Sequence, residues 1–198
     1  AYSLLWGGLY FREDKFYEKA IWLLAKELNE QILPDGAHYE LSPMYHTILS
    51  DRLLDCINAL KHNPRFEGQE FVLSFLKEKA QLMVGWLDAI TYKDGTIPLL
   101  NDAAYNIAPA PQKLLVYARL LGISWTVRTL KESGYRKFIT NTFEMILDVG
   151  NIGPDYIPGH AHADTFNYEL QIDGKPFIID SGISTYEKNV RRQYERET

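Results

Sequence analysis

The sequence predicts a two-part fold: an array of paired α-helices over residues 1–133, of the helical-hairpin or α/α-toroid kind, followed from residue 134 by a β domain. Three observations predict it. Up to residue 133, apolar residues recur at helical spacing in long segments separated by Pro, Gly and Asp or Asn turns. After about Ser133 the pattern changes to short runs rich in aromatic and β-branched residues. Two of those runs are joined through Asp173-Gly174, a strong signal for a tight hairpin turn.

The helices follow in order. Tyr2 to about Phe11 is apolar and small, which suits a buried helix. Glu13 to Leu33 carries Phe16, Ala20, Leu23, Leu24 and Leu28 at helical spacing, and Pro34-Asp35-Gly36 stops it. Pro43 suits the first turn of the next helix, with Ser42 as its N-cap; that helix runs to about Lys61 and ends at His62-Asn63-Pro64. Gly68 to Ile90 is another long helix, closed by Lys93-Asp94-Gly95, and Pro111 opens one more to about Leu121. The expected strands are Tyr135–Phe138, Thr142–Val149, Thr165–Ile172 and Pro176–Ile179.

Composition narrows the function classes. A formal charge of -5 argues against nucleic acid as a partner, while a local basic cleft for an anionic substrate remains compatible with it. No run approaches the roughly 20 apolar residues of a membrane span. The single Cys56, inside the helical pattern LLDCINAL, reads as a small buried hydrophobe, so no disulfide framework is expected. The chain starts at Ala1 inside an apolar run and stops at Thr198 without a terminating signal, so the expectation is an internal segment of a longer protein.

Four stretches hold the polar chemistry. In DGAHYELSPMYHTI (residues 35–48) a turn leads into a helix start and brings Glu40, Tyr45 and His46 close together. Tyr45 falls in the first helical turn, where outward-pointing N–H groups favour anions and a lowered phenol pKa is expected; the structural alternative is a half-buried tyrosine that packs its ring. In GHAHAD, His160, His162 and Asp164 sit two apart, so in an extended chain they face one way, as metal ligands would. Asp180, at the end of the strand FIID, is a partner for them across the hairpin; the alternative is a loop of solvated histidines. The long interhelical loop DGTIPLLNDAAYNIAP carries Asn101, Asp102 and Tyr105 and is either functional or a tied-down connection. The terminal NVRRQYERET offers Arg191, Arg192 and Arg196 to carboxylates or sulfates, or forms an exposed charged helix or loop.

Together AYSLLWGGLYF, DGAHYELSPMYH, DGTIPLLNDAAYNIAP and GPDYIPGHAHADTFNYELQIDGKPFIIDSGISTYE resemble the heparinase II/III family of polysaccharide lyases, in the family's order and over almost the whole chain. The GHAHAD version is nearest to the heparinase III side. The resemblance implies an α/α toroid followed by an antiparallel β-sandwich. It implies β-elimination on a uronic-acid polysaccharide, which is heparan-type, heparin-type or alginate-like. That reaction needs a base for the proton at C5, neutralisation of the uronate carboxylate, and an acid for the leaving 4-oxygen. By resemblance Tyr45 is the acid and a candidate base, and His160 is the catalytic histidine at the domain interface. His162 and Asp180 look like two ligands of a structural zinc or other divalent metal, whose third ligand is expected after Thr198. The family's carboxylate-neutralising residue is expected before Ala1. Glu40, His46 and Asn101 are the candidate substrate-binding residues. The implied partner is an anionic polysaccharide and the expected compartment periplasmic or secreted.

Three other readings compete. A cupin-type metal-binding barrel shares the H-x-H motif, but Glu169 lies too far past His162 for it. A toroid glycoside hydrolase needs two carboxylates across the bond, for which Glu40 and Asp102 are the available pair. A non-catalytic glycan-binding protein is separated from a lyase by Tyr45→Phe, which leaves binding intact and removes turnover.

Overall fold

The computed structural model describes residues 1–156, 159–162, 165–182, 184–185 and 187–197. The elements run α1 (Tyr2–Phe11), α2 (Asp14–Gln31), α3 (Pro43–His62), α4 (Gln69–Ile90), α5 (Pro111–Leu120), β1 (Tyr135–Ile139), β2 (Phe143–Asp148), β3 (Tyr168–Ile172), β4 (Lys175–Ile178) and α6 (Val190–Glu197). No helix among the described residues is long and apolar enough to cross a membrane.

The helices pack as hairpins, α1 on α2 and α3 on α4. Gly8 lets the first pair close: a Cβ there would lie 2.8 Å from the Tyr17 backbone nitrogen. Tyr17, Ala20, Leu24 and Leu28 form the buried stripe of α2, and the Tyr17 ring stacks on Phe66 at 3.9 Å between centroids. Phe16, expected on that stripe, is 44% exposed, because the stripe is set by the neighbouring residue Tyr17. The central helices bury Leu53, Leu54, Ile57 and Leu60 of α3 against Leu76, Met83, Trp86, Leu87 and Ile90 of α4. Cys56 is buried among them, as expected of a small hydrophobe, and burial pushes its thiol up to about 12.

The turn between α2 and α3 is pinned from both sides. Gly36 has φ +97° and sits so close to the Leu82 carbonyl that a Cβ would meet it at 2.2 Å. The buried Asp35 carboxylate accepts hydrogen bonds from the Ala37 N–H, the Ser133 N–H and the Ser133 hydroxyl. Ser42 occupies the N-cap of α3, but its side chain makes no capping hydrogen bond; Pro43 at the first helical position supplies the start.

The four strands form an antiparallel meander in the order β1-β2-β3-β4. Asp173 and Gly174 both have positive φ, as the predicted tight turn between β3 and β4 requires. Residues 165–167, expected to begin β3, lie outside it: Phe166 takes a left-handed conformation (φ 67°) and the strand starts at Tyr168.

The sheet's two faces are opposite to the usual arrangement. Glu144, Ile146 and Asp148 of β2 and Glu169 and Gln171 of β3 are buried. These mainly polar residues face the helices and the loop after α4. Glu169 accepts from the Leu99 and Asp180 N–H groups and from the Tyr92 hydroxyl, and Glu144 accepts from the Lys93 N–H. Burial raises the Glu169 carboxyl above its ordinary range. The apolar residues Met145, Leu147, Leu170 and Ile172 alternate onto the other, more open face. Tyr135 and Ile146 join the apolar core of the helices, so sheet and helices share one core.

Candidate active site

Three loops and one helix start meet at the seam. Tyr45 stands in the first turn of α3. The turn before it supplies His38 and Glu40, the loop after α4 supplies Asn101 and Asp102, and the loop between β2 and β3 supplies His160 and His162. The Tyr45 and His160 rings stack with centroids 3.6 Å apart and planes inclined by 23°. The His160 Nδ1–H donates to Asp102 Oδ2 at 3.1 Å, and its Nε2 lies 3.6 Å from Glu40 Oε2. Glu40 also stands 3.8 Å from His38 Nδ1. His162 directs Nε2 toward Asp102 Oδ1 at 3.8 Å, and its backbone N–H donates to Asn101 Oδ1.

The loops hold this geometry through backbone that few side chains adopt. Leu41, Asn101 and Asp102 have φ of 58°, 54° and 58°, all left-handed. Asn101 anchors the strained pair. Its amide N–H groups lie within hydrogen-bond distance of the Leu41 carbonyl, Tyr135 Oη and Asp148 Oδ2. The Tyr135 hydroxyl itself donates to the Leu41 carbonyl. One buried amide thereby ties the helix-side turn, the interhelical loop and two strands together, next to the histidines.

Two expected substrate contacts do not reach the open site. His46 is 1% exposed; its Nδ1 accepts from the His38 N–H at 3.1 Å and its Nε2–H donates to the Met83 carbonyl at 3.0 Å. Those partners select the neutral Nε2–H tautomer, and burial pulls the imidazole down to about 3. Asn101 is 3% exposed and is engaged as described above. Both were placed near substrate because they are close in sequence to exposed chemistry, but each points inward. Of the candidate substrate residues, Glu40 alone lines the cluster.

The Tyr45 phenol is also corrected. Its pKa is raised, first by burial and then by the negative charges of Asp102 and Glu40. The helix N-terminus expected to lower it is outweighed by burial together with the two carboxylates. The phenol therefore keeps its proton, the state an acid requires. His38 is pushed the other way, to about 4, by burial and by proximity to His160.

Among the described residues, no group of three or more His, Cys, Asp or Glu side chains is arranged to hold a metal ion. His162 faces Asp102, while Asp180 accepts from the Asn167 amide at 2.8 Å and the Gly182 N–H at 2.6 Å. Imidazole and carboxylate are suitable zinc donors, and here the two side chains face these protein groups. Asp164 lies outside the described residues. Arg191 pairs with Glu195 along α6, as an exposed charged helix would. The sequence offers Asp102 only as a residue of the interhelical loop and in the hydrolase pair, and does not single out His38; Asp102 meets His160 from 58 residues away, whereas His38 is held by the nearby Gln31, Glu40 and His46.

The family models for the heparinase II/III N-terminus and for the heparinase II/III-like C-terminal region match residues 3–117 and 123–198. The chain belongs to the heparinase II/III family. It is 25% identical, over 92% of its length, to a heparin-sulfate lyase of Pedobacter heparinus, of which it covers 30%. It superposes on the crystal structure of the heparan sulfate lyase HepC from Pedobacter heparinus with a TM-score of 0.73, at 21% identity, over 98% of this chain and 33% of that one. A crystal structure of heparinase III gives a TM-score of 0.75 at 20% identity, over 98% and 36%. The chain thus spans about a third of the length of these relatives. The fold is that of the heparinase architecture, part of an α/α toroid leading into an antiparallel β-sandwich. The cupin alternative is overturned by these matches and by the helical array that precedes the sheet.

Proposed function

We propose that the protein carrying this chain is a polysaccharide lyase that cleaves a uronic-acid glycosaminoglycan of the heparan-sulfate class by β-elimination. The observation that carries the reading is the stacking of Tyr45 on His160 at 3.6 Å, a helix-start tyrosine and a β-domain histidine brought together across the seam. Family membership and the names of the similar proteins support the substrate class.

In this reading His160 Nε2, the nitrogen not engaged by Asp102, takes the proton from C5 of the uronate. The electron pair of the broken C5–H bond forms the C4–C5 double bond, and the C4–O4 bond breaks. Tyr45, kept protonated by burial and by its carboxylate neighbours, gives its phenolic proton to the departing 4-oxygen. The proton on His160 then returns to the Tyr45 phenolate through water. Asp102 and Glu40 flank the imidazolium formed in between. Glu40 carries negative charge, so its contact with an anionic glycan is to a hydroxyl, not to the uronate carboxylate or a sulfate.

A structural zinc on His162 and Asp180, and a periplasmic or secreted location, belong to the same proposal; neither enters the chemistry. The test is ultraviolet absorbance of the conjugated uronate product when the full-length protein meets heparan sulfate, heparin and alginate. Absorbance that rises with heparan sulfate supports the reading. New reducing ends without absorbance mean hydrolysis, and neither signal on any glycan means a binding protein.

A further inference from the structure

We propose that Asp102 is the positioning residue that fixes the His160 imidazole for proton transfer, by taking the Nδ1–H and presenting Nε2 to the substrate. The inference rests on the Tyr45–His160 reading of the site.

The ring stack with Tyr45 fixes the plane of the imidazole but not its rotation within that plane. The hydrogen bond from Nδ1–H to Asp102 Oδ2 fixes the rotation and selects the tautomer. With Nδ1 protonated, the lone pair of the neutral ring lies on Nε2, on the side of Glu40. The other oxygen of the same carboxylate faces His162 Nε2 at 3.8 Å, so Asp102 spans both histidines of the loop.

The backbone shows that this placement is built in. Asp102 and Asn101 are consecutive left-handed residues, a conformation that most non-glycine side chains avoid. Asp and Asn tolerate it better than other side chains, and the buried Asn101 amide holds it through the Leu41 carbonyl, Tyr135 and Asp148. The effect of holding the loop so is to aim a carboxylate from the helical half at a histidine of the β half.

The test compares wild type with Asp102→Gly and Asp102→Asn in the full-length protein. Glycine removes the carboxylate at a position whose backbone suits it, and it leaves a space that formate can fill. The expected result for Asp102→Gly is a fall in kcat of about 100-fold, KM within about threefold of wild type, and partial recovery of kcat on adding formate, in line with losses of orienting partners elsewhere. Asp102→Asn keeps the left-handed preference and an acceptor oxygen, so it falls between the two. A folded Asp102→Gly with kcat within about threefold of wild type overturns the proposal, as does a loss that formate leaves unchanged. Should the glycine variant not fold, Asp102→Asn decides: a kcat equal to wild type overturns the proposal. The downfield proton signal of the His160 Nδ1–H, identified by its absence in His160→Ala, reads the orientation without turnover. It should disappear in Asp102→Gly and return with formate; persistence without formate overturns the proposal. Wild type that eliminates no uronate glycan refutes the lyase reading instead, and the Nδ1–H signal then judges the positioning alone.

Discussion

Glu169 is the acid whose replacement separates two accounts of the sheet's buried polar face. It is 2% exposed, and its Oε1 accepts the Leu99 and Asp180 N–H groups while its Oε2 accepts the Tyr92 hydroxyl. Glu169→Leu leaves two backbone donors and one phenol without their partner. At about 1 kcal/mol or more for each buried orphan, the cost is about 3 kcal/mol. For a cooperative unit of about 150–250 residues that lowers Tm by roughly 6–12 °C, and by less where the unit that melts is larger. Glu169→Gln should cost little, because its Oε1 keeps both N–H groups and its amide N–H turns to the Tyr92 oxygen. The two variants also differ with pH. Burial raises the Glu169 pKa in the folded state, against the lowering effect of its three hydrogen bonds, so the folded protein holds the proton to higher pH than the unfolded chain does. The associated stability is present below the unfolded pKa and is lost as pH rises through the folded one. Glutamine cannot ionise, so Glu169→Gln should gain on wild type as pH rises from about 4 to about 8. Thermal melts of the three full-length proteins at both ends of that range measure it. Equal melting of the Leu and Gln variants would refute the hydrogen-bond accounting, and a Gln variant losing on wild type toward alkaline pH would refute the burial argument. Because Leu99 leads into Asn101 and Asp102, the Leu variant should also lose turnover before it loses fold.

His46 and His38 are held neutral, at about 3 and about 4, below the ordinary imidazole value. The unfolded chain binds more protons than the native one between those values and about pH 6.5, so stability falls as pH drops through that window, by up to ~1.4 kcal/mol per pH unit for each histidine. Urea melts should show His46→Gln with a shallower acid slope than wild type, and an identical slope would contradict the assignment. A structural metal on His162 and Asp180 predicts stoichiometric zinc in the purified full-length protein and a lower Tm in chelator; absence of both would rule it out.

The helical half was legible because its signals are local. Pro43 and Pro111 mark true first turns, and the long apolar stripes around Leu53 and Leu87 sit where their period places them. The strands were legible in position, but the side they bury was not. In FEMILD it is Glu144, Ile146 and Asp148 that face the core. The partners that make a buried Glu tolerable are backbone N–H groups of a loop far away in the chain, and no local pattern records them. The same limit hid the pairing of Asp102, a named residue of the interhelical loop, with His160 58 residues away. His46 and Asn101 lie buried, because adjacency to Tyr45 and Asp102 says nothing about which way a side chain points. Tyr45 stands at a helix start, as its sequence context indicates, yet its pKa moves opposite to the helix-terminus argument, since burial and then two carboxylates outweigh it.

The central claim is that Tyr45 and His160 carry out one elimination together. The most direct measurement is turnover of heparan sulfate by full-length wild type, Tyr45→Phe and His160→Ala, followed by absorbance of the unsaturated product, with glycan binding measured in parallel. The account predicts that each variant loses turnover by at least about 100-fold, as expected when an acid or base is removed, while binding stays near the wild-type level. A Tyr45→Phe protein that still eliminates at the wild-type rate would contradict it.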